Sequence, residues 1–164
     1  MPFSSRVARA GARLLRVRWF VRAPIWLYRA RLGFLLGPRM LMLEHVGRKS
    51  GQRRFVVLEI IDHPSPGRYV VVSGFGDRAQ WFRNVRANSR VRVFLGGRGP
   101  SPASAMVLSD RDAKRALDSY ARRHPKAWAT LRPVLESTLG RSIGGADTEL
   151  PMVLLDLAAG SSPA

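Results

Sequence analysis

The sequence predicts an α+β domain in which about six mostly antiparallel strands close into a barrel, with helices outside it and a basic helix ahead of it. Three observations carry this reading. From residue 40 the chain breaks into short runs dense in Val, Ile and Leu, separated by Gly, Pro, Asn and Ser. Segments with helical spacing fall at the start of the chain, after the third apolar run and after the fifth. At 164 residues, with no repeat of solenoid period, the chain fits one domain able to bury about 70% of its unfolded surface.

The elements follow in order. Ser4 or Ser5 can cap a helix reaching about Ala23, with Val7, Ala10, Leu14, Val17 and Val21 at three- and four-residue steps and most of its arginines on the other side. Pro24 ends or kinks it. A second apolar piece, Ile25–Leu36, stops at Gly37-Pro38. Met40–Val46 is the first expected strand, Arg54–Asp62 the second and Arg68–Ser73 the third, with His63-Pro64-Ser65-Pro66-Gly67 as the turn between the last two. Asp77 is the expected cap of a short helix, Arg78–Ala87, which Asn88-Ser89 ends. Arg90–Leu95 and Pro102–Leu108 are two more strands around a glycine-rich turn. Ser109 or Asp110 caps a helix over Arg111–Arg123, and Pro125 opens another that ends near Leu139-Gly140. A loop, Arg141–Thr148, leads to the last strand, Leu150–Leu157, and a frayed tail. The organisation is a basic helical segment at 1–38, a barrel domain at 39–158 and a tail at 159–164.

Composition removes several function classes. With no Cys, disulfides, thiolate metal sites, iron–sulfur clusters and Cys nucleophiles are excluded. His45, His63 and His124 are scattered, so no metal site is expected. The net charge is +17, from 28 Lys and Arg against 11 Asp and Glu. Lys49, Lys114 and Lys126 are the only lysines, an arginine bias that partly reflects codon usage. Such a field favours anionic partners: a phosphorylated cofactor, acidic lipid or nucleic acid. Nucleic acid is not expected, because no recognition motif appears and aromatics do not recur through a basic stripe. Without a long apolar run or a secretory h-region, the expected location is cytoplasmic. The first 39 residues hold nine Arg and no acid. The basic helix there has two readings: residues 1–37 lie on an anionic membrane surface at the inner face of the cell membrane, or they pack across the barrel.

The chemistry concentrates in GRKSGQRR, Gly47 to Arg54. Arg48, Lys49, Arg53 and Arg54, the hydroxyl of Ser50 and two glycines lie between two strands. Gly47 and Gly51 allow close backbone approach, and exposed N–H groups in such a turn form a concavity for anions. The loop therefore points to a phosphate-bearing ligand.

Three ordered motifs resemble the deazaflavin (F420)-dependent nitroreductase family, a group with the split β-barrel fold of FMN-binding flavoreductases. GRKSGQRR is similar to the family's G-R-K-[ST]-G-x-x-R loop. YVVVSGFG, Tyr69 to Gly76, is similar to its strand ending in a glycine-containing loop. QWFRNVRANSRVRV, Gln80 to Val93, is similar to its W-[YF]-x-N helix and following strand. The match covers roughly residues 40–108, with LPMVLLDL adding support near the end. The resemblance implies coenzyme F420 as cofactor, its phosphate and acidic tail held by Arg48, Lys49, Ser50, Gly51 and Arg54, with Gly47, Gln52 and Arg53 beside them. It also implies that Ser73, Gly74, Phe75 and Gly76 run along the ring system, and that Trp81 and Phe82 lie near the ring or the substrate mouth.

The activity so implied is hydride transfer from reduced deazaflavin to a small-molecule acceptor, quinone-like or nitro. The cofactor carries that chemistry, in keeping with the lack of a visible acid/base pair. Ser73 and the glycine-rich backbone are candidate donors to an acceptor gaining negative charge. Two departures stand out: Phe75 replaces a lysine many members carry, and Phe82 replaces a common tyrosine. Alternatives are a split barrel holding FMN or a haem-type group, a non-catalytic F420 carrier, and a basic nucleic-acid-binding protein. Split barrels often pair, so a homodimer is a further expectation. Glu44 and His45 are expected in the barrel wall, Asn84 as a tie from its helix to a neighbouring loop, and Trp128 and Tyr120 in the core.

Overall fold

The computed structural model describes residues 37–143 and 150–160, the side chains of 159 and 160 excepted. The expected basic helix and the apolar piece after it, with the membrane reading attached to them, lie outside these residues. Six strands form the barrel: β1 Met40–Val46, β2 Arg53–Ser65, β3 Arg68–Val72, β4 Arg90–Leu95, β5 Ser101–Val107 and β6 Met152–Asp156. The ladder runs β1-β2-β3-β6-β5-β4 and returns from β4 to β1, with every pair antiparallel. Closure leaves no open sheet edge among the described strands. Four helices accompany the barrel: α1 Gln80–Ala87, α2 Asp110–Arg123, α3 Pro125–Leu139 and a single turn, α4 Leu157–Gly160. None of the described helices is long and apolar enough to cross a membrane.

Two apolar clusters hold these parts together. The first fills the barrel: Leu41 and Leu43 of β1 meet Leu58, Val71, Val93, Val153 and Leu155, and α1 covers one end with Trp81, Phe82 and Val85. Each such side chain contributes about 1.5–3 kcal/mol through burial. The second lies outside the barrel wall, where α2 applies Ala113, Ala116, Leu117 and Tyr120, one helical stripe, against Ile61, Val70 and Val72. Tyr120 is fully buried. Its hydroxyl donates to Glu59 on β2, and burial, followed by that bond, raises its pKa.

Four local expectations are corrected. β2 continues through His63-Pro64, and the turn shrinks to Pro66-Gly67, with Gly67 at φ 77°. Register shifts on either side of Asp62 open the ladder there, which is where Pro64 can sit in a strand. The His63 ring stacks on Tyr69 at 4.5 Å and fixes the pairing. Asp77 does not cap α1. The Ser73 hydroxyl donates to the Gly76 carbonyl at 2.6 Å, and Gly76 N–H returns to Ser73. That closed turn runs into a 3-10 helix, Gly76–Arg78, and delays α1 to Gln80. β5 begins at Ser101 and ends at Val107, so Leu108 leaves the strand before Ser109. Ser109, rather than Asp110, caps α2 by accepting the Asp112 N–H. Finally, β6 stops at Asp156, whose carboxylate accepts the Ala158 N–H at 3.0 Å and starts α4 where a frayed tail was expected.

Candidate functional site

The basic loop joins β1 to β2 beyond their last pair, Val46 with Arg53. Gly47 N–H donates to the Gln52 carbonyl and Gly51 N–H to the Gly47 carbonyl, each at 2.8 Å. Gly51 sits at φ 65°, the left-handed region that other residues avoid. A Cβ on Gly47 would lie 2.6 Å from the Ser50 hydroxyl, so no other residue fits this turn without displacing it. The Ser50 hydroxyl in turn accepts the Gln52 N–H at 3.3 Å. The backbone N–H groups of Lys49 and Ser50 take no partner among the described residues.

Strand parity sorts the last two cations. Residues facing each other across an antiparallel pair share a face, and neighbours along a strand do not. Arg54 pairs with His45, whose face carries Leu41 and Leu43 into the barrel. Arg54 therefore reaches the barrel mouth. Arg53 is on the outer face, 3.5 Å from Glu44, which also holds Arg92 at 3.4 Å. No carboxylate pairs with Arg48, Lys49 or Arg54 among the described residues.

Asn84 fastens the loop to α1. Its Oδ1 accepts the Arg48 backbone N–H at 3.1 Å and the Arg48 guanidinium at 3.0 Å, and the same Arg48 nitrogen reaches Gln80 Oε1 at 3.0 Å. Asn84 Nδ2 lies 3.2 Å from His45 Nδ1. His45 is 4% exposed. Burial, followed by the Arg54 charge opposite it, lowers its pKa to about 4.

Loop and helix bound a cleft of about 510 Å³. Arg48, Lys49, Ser50 and Arg54 form its polar side, and Phe55, Val56, Ala79 and Trp81 its apolar side. His45, Gly47, Phe75, Gln80 and Asn84 complete the lining, which contains no carboxylate. Phe75, 63% exposed, stands between this cleft and a second one of about 740 Å³ that holds Arg78, Arg86 and Phe82. Trp81 and Phe82 pack edge to face at 5.9 Å and open onto different clefts. Among the described residues no cluster of acids and histidines suits a metal ion.

The arrangement brings Gly47, Arg48, Lys49, Ser50, Arg54, Phe75 and Trp81 to one cleft. Other residues singled out in the sequence fall elsewhere. Gly51 and Gln52 are on the exposed back of the loop, where Gln52 Oε1 accepts from Arg54 at 3.5 Å. Arg53 faces outward. Ser73 is fully buried, its hydroxyl spent on Gly76, and it lines neither cleft. The Gly74 carbonyl accepts from Thr138 of α3. Gly76 and Phe82 line the second cleft. His45 and Gln80 lie at the site without having been expected there. The hint for His45 was its two-residue spacing from Leu41 and Leu43, which puts all three on one face.

A family model described as F420H(2)-dependent quinone reductase matches residues 20–134. Among solved structures, one described as an F420-H2 dependent reductase (FDR-A) is similar at 21% identity and TM-score 0.51, over 72% of this chain and 94% of that one. Another, described as a domain-swapped dimer, is similar at 21% identity and TM-score 0.51, over 72% of this chain and 80% of the other. A putative pyridoxamine 5'-phosphate oxidase from Listeria innocua has 13% identity and TM-score 0.50, over 79% and 91%. At these identities the likeness establishes the fold, a split barrel of the flavin-binding kind. No curated protein matches the sequence.

Proposed function

Because this chain belongs to the F420H(2)-dependent quinone reductase family, whose cofactor is coenzyme F420, we propose that the protein seats the deazaflavin between the Gly47–Arg54 loop and α1 and reduces a quinone-like acceptor. Nitro compounds are a second acceptor class of the same electronic kind. The carrying observation is the pairing, in one cleft, of an aromatic wall with cations that no carboxylate among the described residues neutralises.

The group fits the residues present. Lys49, Arg54 and the unpartnered N–H groups at Lys49 and Ser50 suit phosphate and carboxylate oxygens, as charge-assisted donors do. Arg48 serves the loop first: its bonds to Asn84 and Gln80 hold the cradle against α1. Trp81, Ala79 and Val56 offer a flat ring an apolar surface that excludes water. Bound there, the reduced cofactor supplies the hydride. The surrounding positive field favours an acceptor oxygen that gains negative charge. Because this chemistry needs a reduced, anionic cofactor from the cell interior, the reading includes a cytoplasmic location. A homodimer is part of the proposal, supported by the described dimer of like fold and by the exposed Met106 and Val107.

Titration with oxidised F420, FMN and haem, each alone and followed by fluorescence or absorbance, tests the reading. F420 should bind, and Lys49→Ala with Arg54→Ala should abolish binding. Reduced F420 should then be consumed with quinones and nitroaromatics. Binding of FMN or haem without F420 would sink the proposal.

A further inference from the structure

His45 lines the cleft and keeps one ring nitrogen without a partner among the described residues. It is almost wholly buried, yet it contributes to the lining. Its Nδ1 is engaged by Asn84 Nδ2 at 3.2 Å. The direction of that bond follows from the far side of the amide. Asn84 Oδ1 already accepts twice from Arg48, so the amide cannot be reversed and Nδ2 donates. Nδ1 therefore carries no proton, and a neutral imidazole then bears its proton on Nε2. Among the described residues no group receives that N–H.

The charges around the ring are all positive: Arg54 opposite on β2, and Arg48 and Lys49 from the loop. From α1 come only the uncharged Gln80, Trp81 and Asn84. The imidazole is thus a fixed, neutral donor aligned from behind by an amide that is itself clamped. A buried donor left unpaired costs about 1–3 kcal/mol, so a ligand that accepts from it relieves a penalty present in the empty site.

Resting on the cofactor reading above, we infer that His45 orients the deazaflavin: its Nε2–H donates to an acceptor atom on the pyrimidinedione edge of the ring. The basic loop then anchors the tail while His45 fixes the rotation of the ring against Trp81. A neutral donor selects the acceptor-bearing edge of the ring and adds no charge to it.

The test is equilibrium binding of oxidised F420 to the full chain at pH 7, with no electron acceptor present. His45→Phe should weaken binding about tenfold, the effect of one lost hydrogen bond. His45→Gln accepts from Asn84 and offers an N–H beyond it, so it should stay within about threefold of the parent. Inorganic pyrophosphate probes the loop without a ring and should bind the parent and His45→Phe alike, by calorimetry. Unchanged F420 affinity in His45→Phe overturns the role of His45. Parallel loss of pyrophosphate affinity also overturns it, because His45 would then act only through the Arg48–Asn84 tie. Nitrogen-15 spectra of the parent give a second readout that needs no variant: the His45 Nε2–H resonance should move downfield and exchange more slowly on adding F420, and no movement refutes the bond. A parent protein that fails to bind F420 overturns the cofactor reading itself, a result distinct from all of these.

Discussion

Arg48 and Asn84 are joined twice through one oxygen: Asn84 Oδ1 accepts both the backbone N–H and the guanidinium of Arg48, at 3.1 and 3.0 Å. This contact spans 36 residues of sequence and makes the loop a fixed part of the barrel mouth. Asn84→Ala should cost about 2 kcal/mol in urea unfolding, because the buried His45 Nδ1 and the half-buried Arg48 N–H lose their partner. Asn84→Asp keeps the shape and the acceptor but removes the donor to His45. Its carboxylate should draw a proton onto Nδ1 and raise the His45 pKa from about 4 to above its ordinary value near 6.5, read by NMR titration.

Lys49 and Arg53 carry the same charge four residues apart and should behave differently. Lys49 lines the cleft, whereas Arg53 is on the outer face beside Glu44. Lys49→Ala should weaken F420 binding about tenfold at low salt, as expected for a lost charge-assisted contact. Arg53→Ala should change it by less than about twofold, since its charge is already countered and points away. Equal losses, measured by fluorescence titration, would mean that total charge rather than position governs binding.

Phe75→Lys should be a gain. The side chain is 63% exposed, so the substitution should alter stability by less than about 0.5 kcal/mol. A further cation would then line the cleft. F420 affinity should rise several-fold at low ionic strength, and the gain should shrink as salt screens it. A flat response would mean that the anionic tail runs away from Phe75.

Stability should fall in mild acid, in part through His45. Its folded pKa, about 4, is below the value near 6.5 of an unfolded chain. Between those values the unfolded chain binds a proton that the folded one does not. Stability is therefore full above about pH 6.5 and declines toward pH 4, by on the order of 3 kcal/mol. Glu136, lowered by the Ile143 N–H and then by Arg132, acts in the same direction at lower pH. His45→Gln isolates the histidine share: its urea stability should vary less between pH 7 and pH 4.5 than that of the parent.

The strands along the chain and the basic loop were legible because both are written locally. Runs of Val and Ile mark strands, paired glycines mark the turn, and the motifs recur at family spacing. The strand parity of the loop cations was not. Barrel walls are apolar on both faces here, with Leu58 inside and Phe55 half-buried outside, so alternation along β2 does not separate Arg53 from Arg54. The course of β2 through His63-Pro64 was equally hidden, since a register shift belongs to a strand pair and not to a strand. Ser73 has the composition of a ligand donor, but its hydroxyl closes a turn onto Gly76.

By itself the sequence determined a barrel of six strands and a cationic loop between the first two, because each follows from residue type and short spacing, while the cofactor as source of chemistry came with the family resemblance of its motifs. The tertiary structure alone decided which cations face the cleft, that Arg48 braces the loop and that a buried His45 lines the cleft with its Nδ1 held by Asn84. The first follows from the β1–β2 register; the other two depend on Asn84, which lies 39 residues from His45 and 36 from Arg48 and meets them only when α1 docks on the closed barrel.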